Sequence, residues 1–171
     1  MNFDSALGFV LQQEGGFSNR ASDRGGATMK GVTQDNYNSY RVGKGLERQD
    51  VRLISDDELR DFYLTRYWNA TACDKYPGNL ALCVFDFAVN SGPGTSIRYL
   101  QRALWVTPED GIAGVDTVAA AKAAPWDRIA WAHLTLRRAF LRSLPDVHVN
   151  PGWFNRLNLL RDAVFDGGTN V

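Results

Sequence analysis

Cysteine and histidine are scarce in this chain of 171 residues, with two of each, and that scarcity removes several kinds of chemistry at the outset. Cys73 and Cys83 are too few for a disulfide scaffold and sit at no metal-ligand spacing. Cys83 lies inside an apolar run, where a buried free thiol is the common case, so no disulfide between them is expected. No cysteine stands at a useful spacing from His133 or His148, and neither a Gly-x-Ser-x-Gly elbow nor a Walker loop occurs. His133 falls in a helical stretch and is expected to be a core or surface residue. No cofactor and no metal site are expected. Net charge is missing as well, since 19 basic and 19 acidic residues cancel. That argues against a nucleic-acid binder driven by phosphate neutralisation and against a polybasic membrane anchor. No uninterrupted apolar run is long enough for a spanning helix, so stable membrane insertion is not expected. The opening residues, MNFDSALGFVLQQEGG, lack a basic stretch before their apolar run, which Gly8 and Gln12 interrupt, and they read as no export signal.

What is there suffices for a sizeable core: 44% apolar and 12% aromatic residues, in one domain or one domain with two lobes. Phe3, Leu7, Val10 and Leu11 recur at helical spacing, and Glu14 continues their stripe. Asn2 or Asp4 can cap that helix, and Gly15-Gly16 is expected to end it in the left-handed conformation. The polar segment that follows carries Asp23 and the turn signal Gly25-Gly26, and residues 27–32 suit a small hairpin. Thr33 is placed to cap a helix through Tyr37 and Tyr40. Ser55 and Glu58 form a capping-box pattern ahead of an aromatic-faced helix that ends near Trp68-Asn69. Leu80 to Val89 is apolar all round except for Asp86, as a central buried helix is. Helices are further expected over Ser96–Trp105, from Val115 or Asp116 to Pro125, from an Asp127 cap through Phe140, and over Trp153–Phe165.

Glu14 is the candidate catalytic residue. In the last turn of a helix, on its core face, burial and the negative end of the helix dipole would both favour its protonated form, as a general acid requires. The alternative is a helix-end Glu in water, or one tied to Arg20 or Arg24. Asp23 can face it across a cleft, and two carboxyl groups flanking a bond is the arrangement of glycoside hydrolysis. Thr28 could position the water.

These residues resemble a known family. The run Glu14-Gly15-Gly16-Phe17, then Asn19, Asp23, Gly25-Gly26, Thr28 and Gly31-Val32-Thr33, is similar to the signature of the glycoside hydrolase family 108 muramidases, phage and bacterial peptidoglycan hydrolases. Phe85–Gly92, Leu100-Gln101, Asp110–Thr117 and Gly152–Arg156 resemble the peptidoglycan-binding half that accompanies that catalytic region. The resemblance implies a mainly α, lysozyme-like α+β fold with a small β-hairpin excursion after the first helix. It implies a catalytic lobe over residues 1–75 and a helical peptidoglycan-binding lobe over 76–171. It makes Glu14 the acid. In the lysozymes of other phages the threonine falls where Met29 stands here, one position after Thr28, so Asp23 and Thr28 enter as candidates. Asn90, Thr33 and Asn19 are the expected substrate contacts, Asn90 with a helix C-cap as its alternative. The expected partner is the glycan strand of bacterial peptidoglycan, cut by a monomer that waits in the host cytoplasm for release through a holin. A lytic transglycosylase and a non-catalytic wall-binding or phage structural protein are the alternatives. Asp86 is expected to meet a backbone amide or an arginine, and the Asp110–Thr117 loop to be shaped by side chain-to-backbone bonds. Arg128, Arg137, Arg138, Arg142, Arg156 and Arg161 read as a solvated helix face, with attraction to anionic envelope polymers as the alternative.

Overall fold

The computed structural model describes residues 1–19, 26–145, 148 and 150–166. Among them the chain is mainly helical with one small antiparallel sheet, the lysozyme-like α+β class expected from the sequence. The elements run α1 (Phe3–Gln13), β1 (Phe17–Ser18), β2 (Thr28–Met29), β3 (Val32–Thr33), α2 (Gln34–Gly43), α3 (Asp56–Tyr63), α4 (Leu80–Ser91), α5 (Pro93–Leu104), α6 (Val115–Ala123), α7 (Trp126–Ser143) and α8 (Gly152–Phe165). They fall into two compact units, Leu7–Leu64 and Met1–Ala6 with Thr65–Val171.

In the Leu7–Leu64 unit, local signals set most boundaries. Thr33 Oγ1 accepts from Asn36 N at 3.3 Å and so caps α2, a bond worth about 1 kcal/mol. Ser55 and Glu58 close the capping box of α3, each side chain taking the other's backbone N–H at 3.2 Å. The side chains of α2 and α3 are then tied by polar bonds. Tyr37 Oη donates to Glu58 Oε2 at 2.8 Å, Arg41 pairs with Glu58, and Tyr40 Oη donates to Asp61 Oδ2 at 2.6 Å. Gln34 donates to the Gln49 carbonyl at 2.7 Å and accepts from Val51 N at 2.8 Å, which fastens the connection between the two helices. α3 runs directly into a π-helical turn, Leu64–Asn69, so the helix reaches the Trp68-Asn69 end expected of it.

The Thr65–Val171 unit is built on α4, in which every residue from Leu80 to Ala88 is buried. It packs against α5, α7 and α8. Phe3, Trp68 and Phe85 meet edge to face, with ring centroids 5.4–5.9 Å apart. Asp86 is fully buried and takes two guanidinium groups, Arg137 at 2.6 Å and Arg156 at 2.7 Å. Burial by itself would raise the Asp86 carboxyl; Arg137 and then Arg156 outweigh it and hold it below the ordinary carboxylate value. Asp86 therefore meets arginine, as expected, but Arg137 and Arg156 do not lie on a solvated face. The hydropathy of α7 and α8 cannot reveal a partner that α4 buries. Gln101 organises the following loop: its amide donates to Asp110 Oδ1 at 2.7 Å and accepts from Gly111 N at 2.9 Å, while Ile112 N donates to Asp110 Oδ1 at 2.8 Å. The Asp110–Thr117 segment is thus shaped by side chain-to-backbone bonds. Cys73 and Cys83 are buried free thiols, and burial pushes the Cys73 thiol up to about 12.

Several boundaries differ from the sequence reading. α5 starts at Pro93, ahead of Ser96, because proline suits the first helical position where no N–H partner is required. α7 starts at Trp126 with Pro125 before it, so Asp127 sits in the first turn beside the positive helix end and is not the cap. Gly15 and Gly16 follow the end of α1 without a positive φ.

His133 is wholly buried and is lowered to about 4, by burial first and by Arg137 beside it, against the opposing effect of the Ser96 carbonyl at 3.3 Å. A histidine lowered on folding is protonated first in the unfolded chain, so stability is lost as pH falls from the unfolded value of 6.5 and the loss levels off near 4. We expect urea denaturation followed by tryptophan fluorescence to show a loss of about 3 kcal/mol across that window. His133→Gln should flatten the dependence there; parallel curves for the two proteins would exclude His133 as its source.

Candidate active site

The site is built from the three short strands and the residues that enter and leave them. Glu14 is the first residue beyond α1, and its N–H still donates to the Val10 carbonyl at 3.2 Å. It is half-buried, less enclosed than a core-facing stripe position suggests. Past Gly15-Gly16 the chain pairs at once as β1, with Phe17 opposite Met29 and Ser18 opposite Thr28. β2 and β3 pair with Thr28 opposite Thr33 and Met29 opposite Val32, which leaves Lys30 and Gly31 as a two-residue turn. Both take positive φ, +47° and +78°. That is the type I′ geometry, whose twist matches a right-twisted strand pair.

The turn is where Glu14 is seated. A Cβ built on Gly31 would lie 2.7 Å from Glu14 Oε2 and 2.6 Å from Tyr63 Oη. Both atoms stand so close that a side chain at position 31 would have to displace them. Tyr63 comes from the C-terminal end of α3, is buried, and donates its hydroxyl to the Lys30 carbonyl at 2.8 Å. The Lys30 ammonium reaches Asp56 Oδ1 at 3.1 Å on the open surface, where such a pair contributes little. A helix end, a hairpin turn and a second helix thus converge on one half-buried carboxyl group, which can exchange a proton with a group bound over it.

Glu58 and Asp61, two further carboxylates of this unit, hold α2 and α3 together. Burial would raise Glu58, but bonds from Tyr37 and Ser55 and the charge of Arg41 outweigh it and hold the group below its usual value. Asp61 is held low by Lys44 first and then by Tyr40. Among the described residues, no group of three or more His, Cys, Asp and Glu side chains could hold a metal ion.

The sequence candidates are placed as follows. Thr28 and Thr33 face each other across β2 and β3 with Ser18 in the same row, on the hairpin whose turn seats Glu14. Thr28 Oγ1 donates to the Gly26 carbonyl at 3.4 Å. Thr33 is engaged as the α2 cap. Asn19 is exposed just beyond β1. Asp23 lies outside the described residues. Asn90 is in the other unit, exposed in the last turn of α4, where its Oδ1 accepts from Ser91 Oγ at 3.1 Å and Gly92 occupies the C-cap. Tyr63 was not singled out from the sequence, since its place on an aromatic helix face accounts for the ring alone. The available signal was its hydroxyl, because a buried phenol needs a polar partner.

Gly31 and Gly45 have nearly the same positive φ, but a Cβ at Gly45 meets nothing within 4 Å. Gly45→Ala should therefore lose about 1 kcal/mol from left-handed strain. Gly31→Ala should lose at least about 1 kcal/mol more, because the added methyl displaces a rigid phenol and the end of Glu14. Chemical denaturation of the two variants measures the difference, and equal losses would mean that the seat is not tightly packed.

The sequence model of a family described as glycosyl hydrolase 108 matches residues 7–92, which include Glu14, the sheet, α2, α3 and Asn90. Twelve chains of solved structures match as well. One is the structure of Brucella abortus SagA, 28% identical, which aligns over 98% of this chain and 96% of that one with a TM-score of 0.85. No match was found among curated protein sequences. With half of its length matched by the family model, including the segment that seats Glu14, the chain belongs to the glycosyl hydrolase 108 family and is a glycoside hydrolase.

Proposed function

We propose that the protein hydrolyses the glycan strands of bacterial peptidoglycan at the β-1,4 bond between N-acetylmuramic acid and N-acetylglucosamine, with Glu14 as the general acid. The observation that carries this reading is the seating of the Glu14 carboxyl group against Gly31, within the segment that the family model matches. Glycosidic cleavage needs a proton delivered to a poor leaving group as the sugar ring gains oxocarbenium character. A carboxyl group held by a helix end and a backbone turn is supplied in one orientation, which lowers the cost of reaching the transition state.

The remaining roles rest on the resemblance. Asp23, with Thr28, would orient the attacking water or stabilise the developing positive charge. Thr28 stands on the hairpin that seats Glu14, which favours it over a more distant hydroxyl. Asn90 is exposed, and its amide can both donate to and accept from an N-acetyl group. Asn19 is exposed beside β1 and could reach a bound saccharide. Thr33 would contribute backbone and methyl contacts, its hydroxyl being used in capping α2.

Glu14→Gln keeps the shape of the side chain and removes its proton, so clearance of purified cell walls should fall by about 10²- to 10⁴-fold. A variant that clears walls as fast as the parent would mean that Glu14 is not the acid, and a parent that leaves them intact would favour a wall-binding or structural role. Mass spectrometry of the released muropeptides should show reducing N-acetylmuramic acid ends. Ends of the 1,6-anhydro type would instead identify a lytic transglycosylase, in which the substrate's own hydroxyl replaces water.

A further inference from the structure

Tyr63 is described by its ring as a core residue, but its oxygen belongs to the seat of Glu14. The ring is 1% exposed and is packed edge to face on Phe62, with centroids 5.8 Å apart. Its position is therefore set by α3, which is tied to α2 through Glu58 and Asp61. The hydroxyl has one proton, and that proton goes to the Lys30 carbonyl at 2.8 Å. This carbonyl is half of the central peptide of the Lys30–Gly31 turn. In a two-residue turn the central peptide is the unit that flips between turn types. Flipping it here would carry Gly31 out of its φ of +78° and remove the recess against which Glu14 Oε2 rests.

We propose that Tyr63 is a positioning residue for Glu14: its hydroxyl pins the Lys30–Gly31 peptide and forms one wall of the carboxyl seat. The inference rests on the reading of Glu14 as the proton donor. Two observations support it independently. The hydrogen bond reaches the turn across 33 positions of chain, which local structure alone does not require. Tyr63 Oη and Glu14 Oε2 also both come within 2.7 Å of the same point above Gly31, so the phenol borders the space that the carboxyl group occupies. Tyr63 acts through Glu14 and the turn, with no contact to the reacting sugar assigned to it.

The test separates proton delivery from general damage. Tyr63→Phe and Glu14→Gln are assayed on a soluble N-acetylated glycan oligomer prepared from peptidoglycan, and on the 2,4-dinitrophenyl glycoside of that oligomer. Dinitrophenolate leaves without needing a proton, so a fault in proton delivery slows the first substrate and spares the second. For Tyr63→Phe we expect kcat on the oligomer to fall by roughly 10- to 100-fold with KM nearly unchanged, and on the aryl glycoside by less than about threefold. Glu14→Gln should show the same selectivity with a larger loss. If Glu14→Gln is selective and Tyr63→Phe either matches the parent or loses equally on both substrates, the positioning role is overturned and the Glu14 reading stands. If Glu14→Gln keeps its activity on the oligomer, the Glu14 reading fails and this inference with it. Should Tyr63→Phe not fold, 3,5-difluorotyrosine at position 63 nearly keeps the shape and makes the phenol more acidic, which alters the donated bond. A change in oligomer kcat without one on the aryl glycoside would then support the role, and no change on either substrate would overturn it.

Discussion

The empty space where Gly31 has no side chain is the constraint on which the smaller unit depends. A type I′ turn requires both central residues in the left-handed region, and Lys30 accepts that conformation at a cost of about 1–2 kcal/mol. The strand pairing on either side and the Tyr63 bond to the Lys30 carbonyl offset it. In return the turn presents bare backbone, and a carboxyl oxygen and a phenol oxygen can approach it more closely than any side chain would allow. Strain, packing and the position of Glu14 are consequences of the same missing atom.

The units use their carboxylates in contrasting ways. Asp86 is fully buried between two guanidinium groups. Taking these three charges out of water costs several kcal/mol per ion, so the cluster adds little net stability, but loss of Asp86 would leave two guanidinium groups without that carboxylate. Glu58 and Asp61 are half-enclosed and serve as ties between α2 and α3. Each of these groups is used up in holding structure. Glu14 lies against a backbone turn and is half-buried. The structural ties and the candidate acid are connected, because Glu58 and Asp61 hold the helix that carries Tyr63.

Much of this was legible before any coordinates. Thr33, and Ser55 with Glu58, announce helix starts because caps are satisfied within a few residues of themselves. α4 is legible because a helix apolar on every side can only be buried. Glu14 could be picked out from its stripe, from the absence of a competing catalytic set and from the family resemblance. Two of the failures had a common cause, pairing between separate stretches of the chain. Left-handed conformation was expected at Gly15-Gly16 and occurs at Lys30 and Gly31, where a strand pair demands it. Arg137 and Arg156 read as surface charges until α4 supplies Asp86 from 51 and 70 positions away.

By itself, then, the sequence determined the helical class, the Thr33 and Ser55 caps, the buried central helix and the choice of Glu14 as candidate acid, since each is written in neighbouring residues or in a periodic pattern. Only the tertiary structure decided how that acid is held. The seat of Glu14 needs α1, the β2–β3 turn and α3 at one point, and the Tyr63 bond to the turn spans 33 positions. No local propensity encodes such a meeting. It exists because the packing of α3 brings a phenol to a turn that has no side chain at position 31 to exclude it.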